Sequence, residues 1–262
     1  MPRIVSTQRL TERITAFEIE APAIAAGAEA GQIVLARFDP LAAWTPKAIA
    51  EVDRGKETMT FLSRDGRCGQ PVTDIEITGP LGSRKAADKA GKVLFVAEGA
   101  GIGAVLPRLR ELKDQGCYTM VIAAYPSKSD LFWVGRLNDH SDELYIVTDD
   151  GSYGIKGPLR HTLKAVCEQI GDIDLVHAAG PLRLLKTTAD VAVNFNIPAT
   201  VSLATVLDDA ESDTPGDVQR GDSAAVTAGT REGIDWASAI DLDARDLDFD
   251  DFARRLGFPL TK

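Results

Sequence analysis

The sequence predicts a small antiparallel β-barrel joined to an α/β domain with a parallel sheet, followed by an acidic tail. Three observations carry this expectation. Up to about residue 88, short runs alternate apolar and polar residues between turn signals, as half-buried strands do. From Lys92 on, unbroken apolar runs alternate with segments of helical period. Beyond Leu207, hydrophobic periodicity stops. The expected division is 1–88 for the barrel, 89–206 for the α/β domain and 207–262 for the tail.

In the first part, Arg3–Arg9, Ile14–Glu20 and Gly31–Phe38 read as strands. Ala48–Val52 and Thr58–Leu62 flank a hairpin turn at Asp53-Arg54-Gly55-Lys56, and Val72–Thr78 closes the set before a turn at Gly79–Gly82. No helix is expected among them, which suggests a small barrel.

The second part opens with the strand Val93–Ala97. A helix follows with Val105, Leu106, Leu109 and Leu112 on one face, Pro107 in its first turn and a stop at Gly116. Further strands are expected at Thr119–Ala124, Glu143–Thr148, Asp174–Gly180 and Ala199–Leu203, the last of the chain. Between them lie a helix or turn at Ser129–Val134 and helices at Pro158–Ile170 and Arg183–Asn194. Strands alternating with helices imply right-handed crossovers, with ligands at the strands' carboxyl ends. In the tail, Leu247, Phe249, Phe252 and Leu256 are candidate anchors within an acidic stretch.

Composition removes several classes of function. A formal charge of −10 disfavours nucleic acid, which requires a basic surface. No apolar run reaches the ~18 residues of a membrane span, and Met1–Ser6 opens no secretory signal. The three cysteines, Cys68, Cys117 and Cys167, form neither a disulfide framework nor a C-x-x-C pair, which fits a reducing cytoplasm. His140, His161 and His177 share no metal-ligand spacing, so no metal ligands and no catalytic residue are assigned.

Two loops carry candidate binding chemistry. Gly99, Gly101 and Gly103 join a strand to a helix, where absent β-carbons let a nucleotide approach and the helix start favours phosphate. Tight strand–helix packing explains the same glycines equally well. Thr148-Asp149-Asp150-Gly151-Ser152-Tyr153-Gly154 with Lys156 could hold a phosphate or ribose. The alternative is a loop of turn formers with Asp149 as a helix cap. Gly180 and Pro181 fall at a third strand end.

Taken in order, these segments resemble the ferredoxin–NADP reductase superfamily. The likeness is to the branch holding the electron-transfer subunit of dihydroorotate dehydrogenase and the small subunit of NADH-dependent ferredoxin–NADP oxidoreductase. It rests on Ile77–Gly82, Gly99–Gly103, Thr148–Gly157, Ala179–Pro181 and Ile197–Leu203. The resemblance implies a ferredoxin-reductase-like fold. It further implies FAD on the barrel, a nicotinamide nucleotide on the α/β domain, and a [2Fe–2S] cluster near the C-terminus that passes electrons to a larger partner subunit.

Against that pattern the cluster is missing: no cysteine follows Cys167, and Trp236 stands where the last ligand would be. The family's flavin motif, an Arg followed by Tyr or Pro and a hydroxyl, corresponds to Trp44–Ala50. Pro46, Lys47 and Ile49 remain on that strand, while Trp44 replaces the Arg and Ala48 the hydroxyl. The interval Ser63–Thr78 lacks the second pyrophosphate turn, leaving Arg67 or Lys47 as substitute phosphate partners. For NAD(P)(H), Lys128 and Lys156 are the candidate phosphate ligands beside the glycine and Asp-Asp-Gly loops and Gly180–Pro181. The expectation is a cytoplasmic subunit of a hetero-oligomeric oxidoreductase. It lacks its own cluster, has weakened or lost FAD binding, and docks or regulates a partner flavoprotein. The alternative is an active NAD(P)H-dependent FAD flavoprotein that passes electrons to a partner.

Overall fold

The computed structural model describes residues 2–42, 44–64, 75–82 and 91–206, with 230–231, 234–235, 242–244 and 249 of the tail. Expectations placed on Arg67, Cys68, Val72–Asp74, Trp236, Leu247, Phe252 and Leu256 lie outside the described residues.

Six strands form the first sheet: β1 (Arg3–Arg9), β2 (Thr15–Glu20), β3 (Ile33–Arg37), β4 (Thr45–Asp53), β5 (Thr58–Ser63) and β6 (Glu76–Leu81). They pair antiparallel in the order β1-β2-β5-β4-β3-β6. Strand β4 serves two neighbours. Thr45–Ala48 pair with β3, and from Ile49 the strand pairs with β5 through a register shift that bends it. Alternation sends Phe17, Ile19, Ile49, Met59 and Phe61 into one core, where the Phe17 and Phe61 rings stack at 5.5 Å. At the β4–β5 hairpin the Asp53 carboxylate accepts from the backbone N–H of Gly55 and Lys56, both at 3.0 Å.

Two expectations for this part need correction. A helix, α1 (Pro22–Gly27), lies between β2 and β3 and buries Ile24 and Ala25. Six residues are too few to display a helical period, although Pro22 at its first turn is a start signal. Gly79 and Pro80 sit inside β6 rather than in a turn. Gly79 adopts φ +144°, and a β-carbon there would stand 3.1 Å from the Val34 side chain.

The second sheet has the order β10-β9-β8-β7-β11-β12-β15. Its strands are β7 (Lys92–Glu98), β8 (Tyr118–Tyr125), β9 (Glu143–Thr148), β10 (Ile155–Lys156), β11 (Leu175–Ala179), β12 (Ala199–Ser202) and β15 (Leu242–Asp243). All pairs are parallel except β12 with β15. Helices α2 (Gly101–Asp114), α3 (Val134–Asn138), α4 (Leu159–Ile170) and α5 (Leu182–Asn194) connect them. A 3-10 turn at Lys128–Asp130 and a small hairpin of β13 (Thr230–Arg231) with β14 (Ile234–Asp235) complete the elements.

Strand β7 shows why its sequence does not alternate. Leu94 and Val96 pack in the cluster with Leu163 and Val166 of α4 and Leu184 of α5. Val93, Phe95 and Ala97 pack on the other side with Val105 and Leu109 of α2. His177, on the neighbouring β11, is a core histidine bonded to Thr200 Oγ1 at 2.8 Å.

Here too the structure departs from expectation. Helix α2 begins at Gly101, four residues before Val105, so Pro107 lies in its interior and not in its first turn. An interior proline removes a helical N–H and costs about 3 kcal/mol, which the burial of the α2 face must offset. Strand β12 is not the last, because β15 adds an antiparallel strand beyond it. Ala244 and Phe249 of the tail are buried in the α/β core. Among the described residues no helix is long and apolar enough to cross a membrane.

The two sheets share a seam. Ile14, Ala16 and Leu62 belong to the same buried cluster as the α2 face. Farther along, the Glu51 carboxylate on β4 accepts from Arg110 of α2 at 2.7 Å and from Arg136 of α3. Arg136 in turn covers the Trp133 ring at 4.3 Å.

Candidate functional site at the carboxyl edge of the parallel sheet

A parallel sheet forms its ligand crevice where successive connections leave in opposite directions. That point lies between β7 and β11, since the chain runs outward from β7 to β8 and β9 and then returns to β11 on the other side of β7. Gly99, Gly101 and Gly103 leave β7 there, and Gly180 and Pro181 leave β11.

The structure brings these two loops into contact, and packing accounts for two of the three loop glycines. A β-carbon on Gly101 would stand 2.1 Å from the Ala179 carbonyl oxygen. One on Gly103 would stand 2.8 Å from Leu62 Cγ and 3.1 Å from Ala50 Cβ, across the seam. Gly99 is different: it takes φ +58°, and its nearest neighbour would be Ile14 Cδ1 at 4.0 Å. The first N–H groups of α2 turn back on their own loop, Ile102 to the Gly99 carbonyl at 3.1 Å and Gly103 to the Ala100 carbonyl at 3.0 Å. Glu98 and Arg183 pair across the crevice, and Thr205 Oγ1 donates to the Gly180 carbonyl at 3.2 Å.

The Asp-Asp-Gly loop is built largely from its own groups. The Thr148 hydroxyl donates to the Tyr153 carbonyl at 2.6 Å and accepts from the Tyr153 N–H at 3.2 Å. Asp150 accepts from the Ser152 N–H at 2.9 Å and from the Ser152 hydroxyl at 2.6 Å. The Ser152 hydroxyl bond is the leading reason that the Asp150 carboxyl sits below its usual range. Gly154 is required by close approach, because a β-carbon would meet the Ile146 carbonyl oxygen at 2.2 Å. Gly151, at φ +75°, lies against the Lys156 side chain.

Asp149 does not cap a helix. The N-cap of α4 is Pro158, with no side-chain cap. The backbone N–H of Asp149 instead donates to the Tyr125 carbonyl at 3.1 Å. The loop after β8 docks on this one through the Lys128 N–H, which donates to Ser152 Oγ at 2.7 Å. Lys128, Ser152, Tyr153 and Lys156 are therefore gathered on one exposed rim. Cationic, hydroxyl and aromatic groups so placed can hold a phosphate and a ribose.

On the first sheet, Pro46, Lys47 and Ile49 are all buried in β4. Ile49 belongs to the core of that sheet. Lys47 is 3% exposed and donates to Ser63 Oγ at 2.7 Å. Its ammonium is committed inside the sheet and is not offered to a phosphate. Trp44, where a family arginine would stand, stacks under Arg37 at 4.6 Å, and Arg37 is held by Glu76. Ala48 supplies no hydroxyl for a flavin ring. Neither Lys47 nor Ala48 thus presents a cation or a hydroxyl at the position of the family's flavin motif. For a [2Fe–2S] cluster the donor set is wanting, since no thiol follows Cys167. Among the described residues no three His, Cys, Asp or Glu side chains are grouped to hold a metal.

Comparison with known proteins places this geometry. No family model matches the chain. The chain is 31% identical over 227 residues to an uncharacterized protein in the adh 3′ region of Clostridium beijerinckii, covering 80% of this chain and 76% of that one. It is 28% identical over 219 residues to a dihydroorotate dehydrogenase B (NAD(+)) electron transfer subunit homolog of Thermotoga maritima, covering 79% and 75%. The chain is thus homologous to dihydroorotate dehydrogenase B electron-transfer subunits. A chain of the NADH-dependent reduced ferredoxin–NADP oxidoreductase structure shares its fold, with TM-score 0.78, 22% identity and coverage of 98% of this chain and 93% of that one.

Three pairings have no signature in the sequence read residue by residue. Arg37 with Glu76, Glu98 with Arg183, and Glu51 with Arg110 and Arg136 all join distant segments. Alternation could have placed Arg37 and Trp44 on one face once β3 and β4 were aligned. No local signal marks the other two.

Proposed function

We propose that this chain is a subunit of a multi-subunit oxidoreductase of the electron-transfer type, docking onto or regulating a partner flavoprotein. It does so without an iron–sulfur cluster of its own and with FAD binding weakened or lost. The observation that carries the reading is the state of β4. Its lysine is buried against Ser63, and Trp44, just before the strand, is stacked under an arginine already paired with Glu76. The relatives named as electron transfer subunits supply the assembly context. Free thiols at Cys117 and Cys167 suit the reducing cytoplasm that we assign to it.

A second reading is favoured by the rim. Lys128, Ser152, Tyr153 and Lys156 are exposed together, and a β-carbon at Gly99 would meet nothing closer than Ile14 Cδ1 at 4.0 Å. These residues would bind and orient NAD(P)(H), which when bound supplies hydride chemistry.

Purification of the chain from its native cells tests both. A colourless protein that co-purifies with a large flavoprotein subunit supports the docking role. A stoichiometric flavin band bleached by NAD(P)H, on a chain that purifies alone, sinks it in favour of the active flavoprotein.

A further inference from the structure

Strands β3, β4 and β6 present one common face. Register sets Ile33 beside Ala48 and Leu81, Leu35 beside Pro46 and Thr78, and Arg37 beside Glu76. Residues paired across strands share a face, and the alternation from Ala48 through Pro46 carries Trp44 onto it as well. The face therefore has two zones. One is apolar, made by Ile33, Leu35, Ala48 and Leu81. The other is a row in which Glu76, Arg37 and Trp44 stand side by side.

In that row the Arg37 guanidinium donates to Glu76 Oε2 from Nε at 3.0 Å and from Nη2 at 2.6 Å. The same group lies 4.6 Å from the centre of the Trp44 ring. A guanidinium held in plane by a carboxylate and stacked on an indole fixes that indole from one side. On the other side the Trp44 ring joins the apolar zone. Ile33 and Leu35 are 1% and 4% exposed, in a cluster closed by Trp44, Ala48, Leu81 and Ala204, the second residue after β12.

We infer that Trp44 is a built-in plug: locked by Arg37 and Glu76, its indole covers the apolar face of β3, β4 and β6 and closes it to a planar aromatic ligand such as a flavin ring. The indole offers that face the same flat apolar surface as the ligand would, and it does so in cis. A tethered group is always present at high local concentration, whereas a free ligand must compete for the face. The inference rests on the proposed loss of FAD and gives it a cause. The face has been occupied by the chain's own side chain, not merely stripped of phosphate partners.

The test is a titration of the full chain with lumiflavin, a flavin ring without phosphate, followed by fluorescence anisotropy. Wild type is expected to bind lumiflavin only weakly, and Trp44→Ala to bind it at least roughly tenfold more tightly. Arg37→Gln, which keeps the indole but removes its lock, should give a smaller gain. It also serves as the second variant should Trp44→Ala fail to fold, as judged by circular dichroism. Equal affinity in wild type and a folded variant, or no gain in either, overturns the plug. The subunit reading fails separately: a chain that binds lumiflavin as wild type and still co-purifies with a flavoprotein subunit refutes the plug alone. A plugged chain that purifies without any partner refutes the docking role alone.

Discussion

Gly101 at the start of α2 and Ala179 at the end of β11 are in backbone contact, leaving no room for a β-carbon, which would stand 2.1 Å from the Ala179 carbonyl oxygen. The obstructing atom is main chain in a central strand and cannot swing aside. Gly101→Ala is expected to destabilise the protein by about 3 kcal/mol, the upper range for overpacking. At Gly99 a β-carbon would make only an ordinary 4.0 Å contact with Ile14 Cδ1 and the positive φ is what resists a side chain, so Gly99→Ala should cost about 1 kcal/mol. Chemical denaturation of the two variants beside wild type checks the order, and equal losses would contradict it.

The Glu51 clasp predicts a salt-sensitive contribution. Its carboxylate holds two guanidiniums from α2 and α3, with side-chain exposures of 25%, 33% and 40%. Solvent screening limits the value of such partly exposed pairs. Glu51→Ala should therefore lose about 1 kcal/mol at low ionic strength, and less in molar salt. Melting curves at two salt concentrations measure this.

Phe249 fills the α/β core from the tail, at 9% exposure. Phe249→Ala should cost about 3 kcal/mol through lost burial and a residual cavity. A melting temperature unchanged from wild type would show that this side chain contributes nothing to that core.

Acid should cancel the contribution of Asp142. Burial pushes its carboxyl up, but bonds from the Lys113 ammonium and the Thr119 N–H outweigh that and hold it below 3.8. A carboxyl depressed in the folded state stabilises it above the unfolded value and loses that contribution as pH falls through the folded one. Asp142→Asn should be less stable than wild type at neutral pH, and the gap should close in strongly acidic buffer.

Burial pushes the Cys167 thiol up to about 11. Since the thiolate is the reactive form, iodoacetamide should modify Cys167 of the native protein only after denaturation, as read by peptide mass.

Legibility in the sequence followed the range of the forces involved. Strands β2 and β5 and the β7–β9 core are legible in the sequence, because apolar alternation and apolar runs are local consequences of which faces are buried. Helix α1 is not, being shorter than the pattern that would reveal it. The start of α2 lies earlier than its apolar face suggests, because Gly99, through its positive φ, turns the chain from strand into helix within two residues.

By itself the sequence determined the family's two-part architecture, the position of the loops at the strand ends, and the absence of cysteine beyond Cys167. What the glycines at 101 and 103 are for was decided only by tertiary structure, since their neighbours Ala179 and Leu62 are distant in the chain. The same holds for Lys47, which the fold alone buries beside Ser63. It holds for Trp44 too, which reads as a lost arginine in one dimension and stacks under Arg37 in three. Local pattern sets which face a residue takes, but only the folded chain brings together the groups that satisfy it.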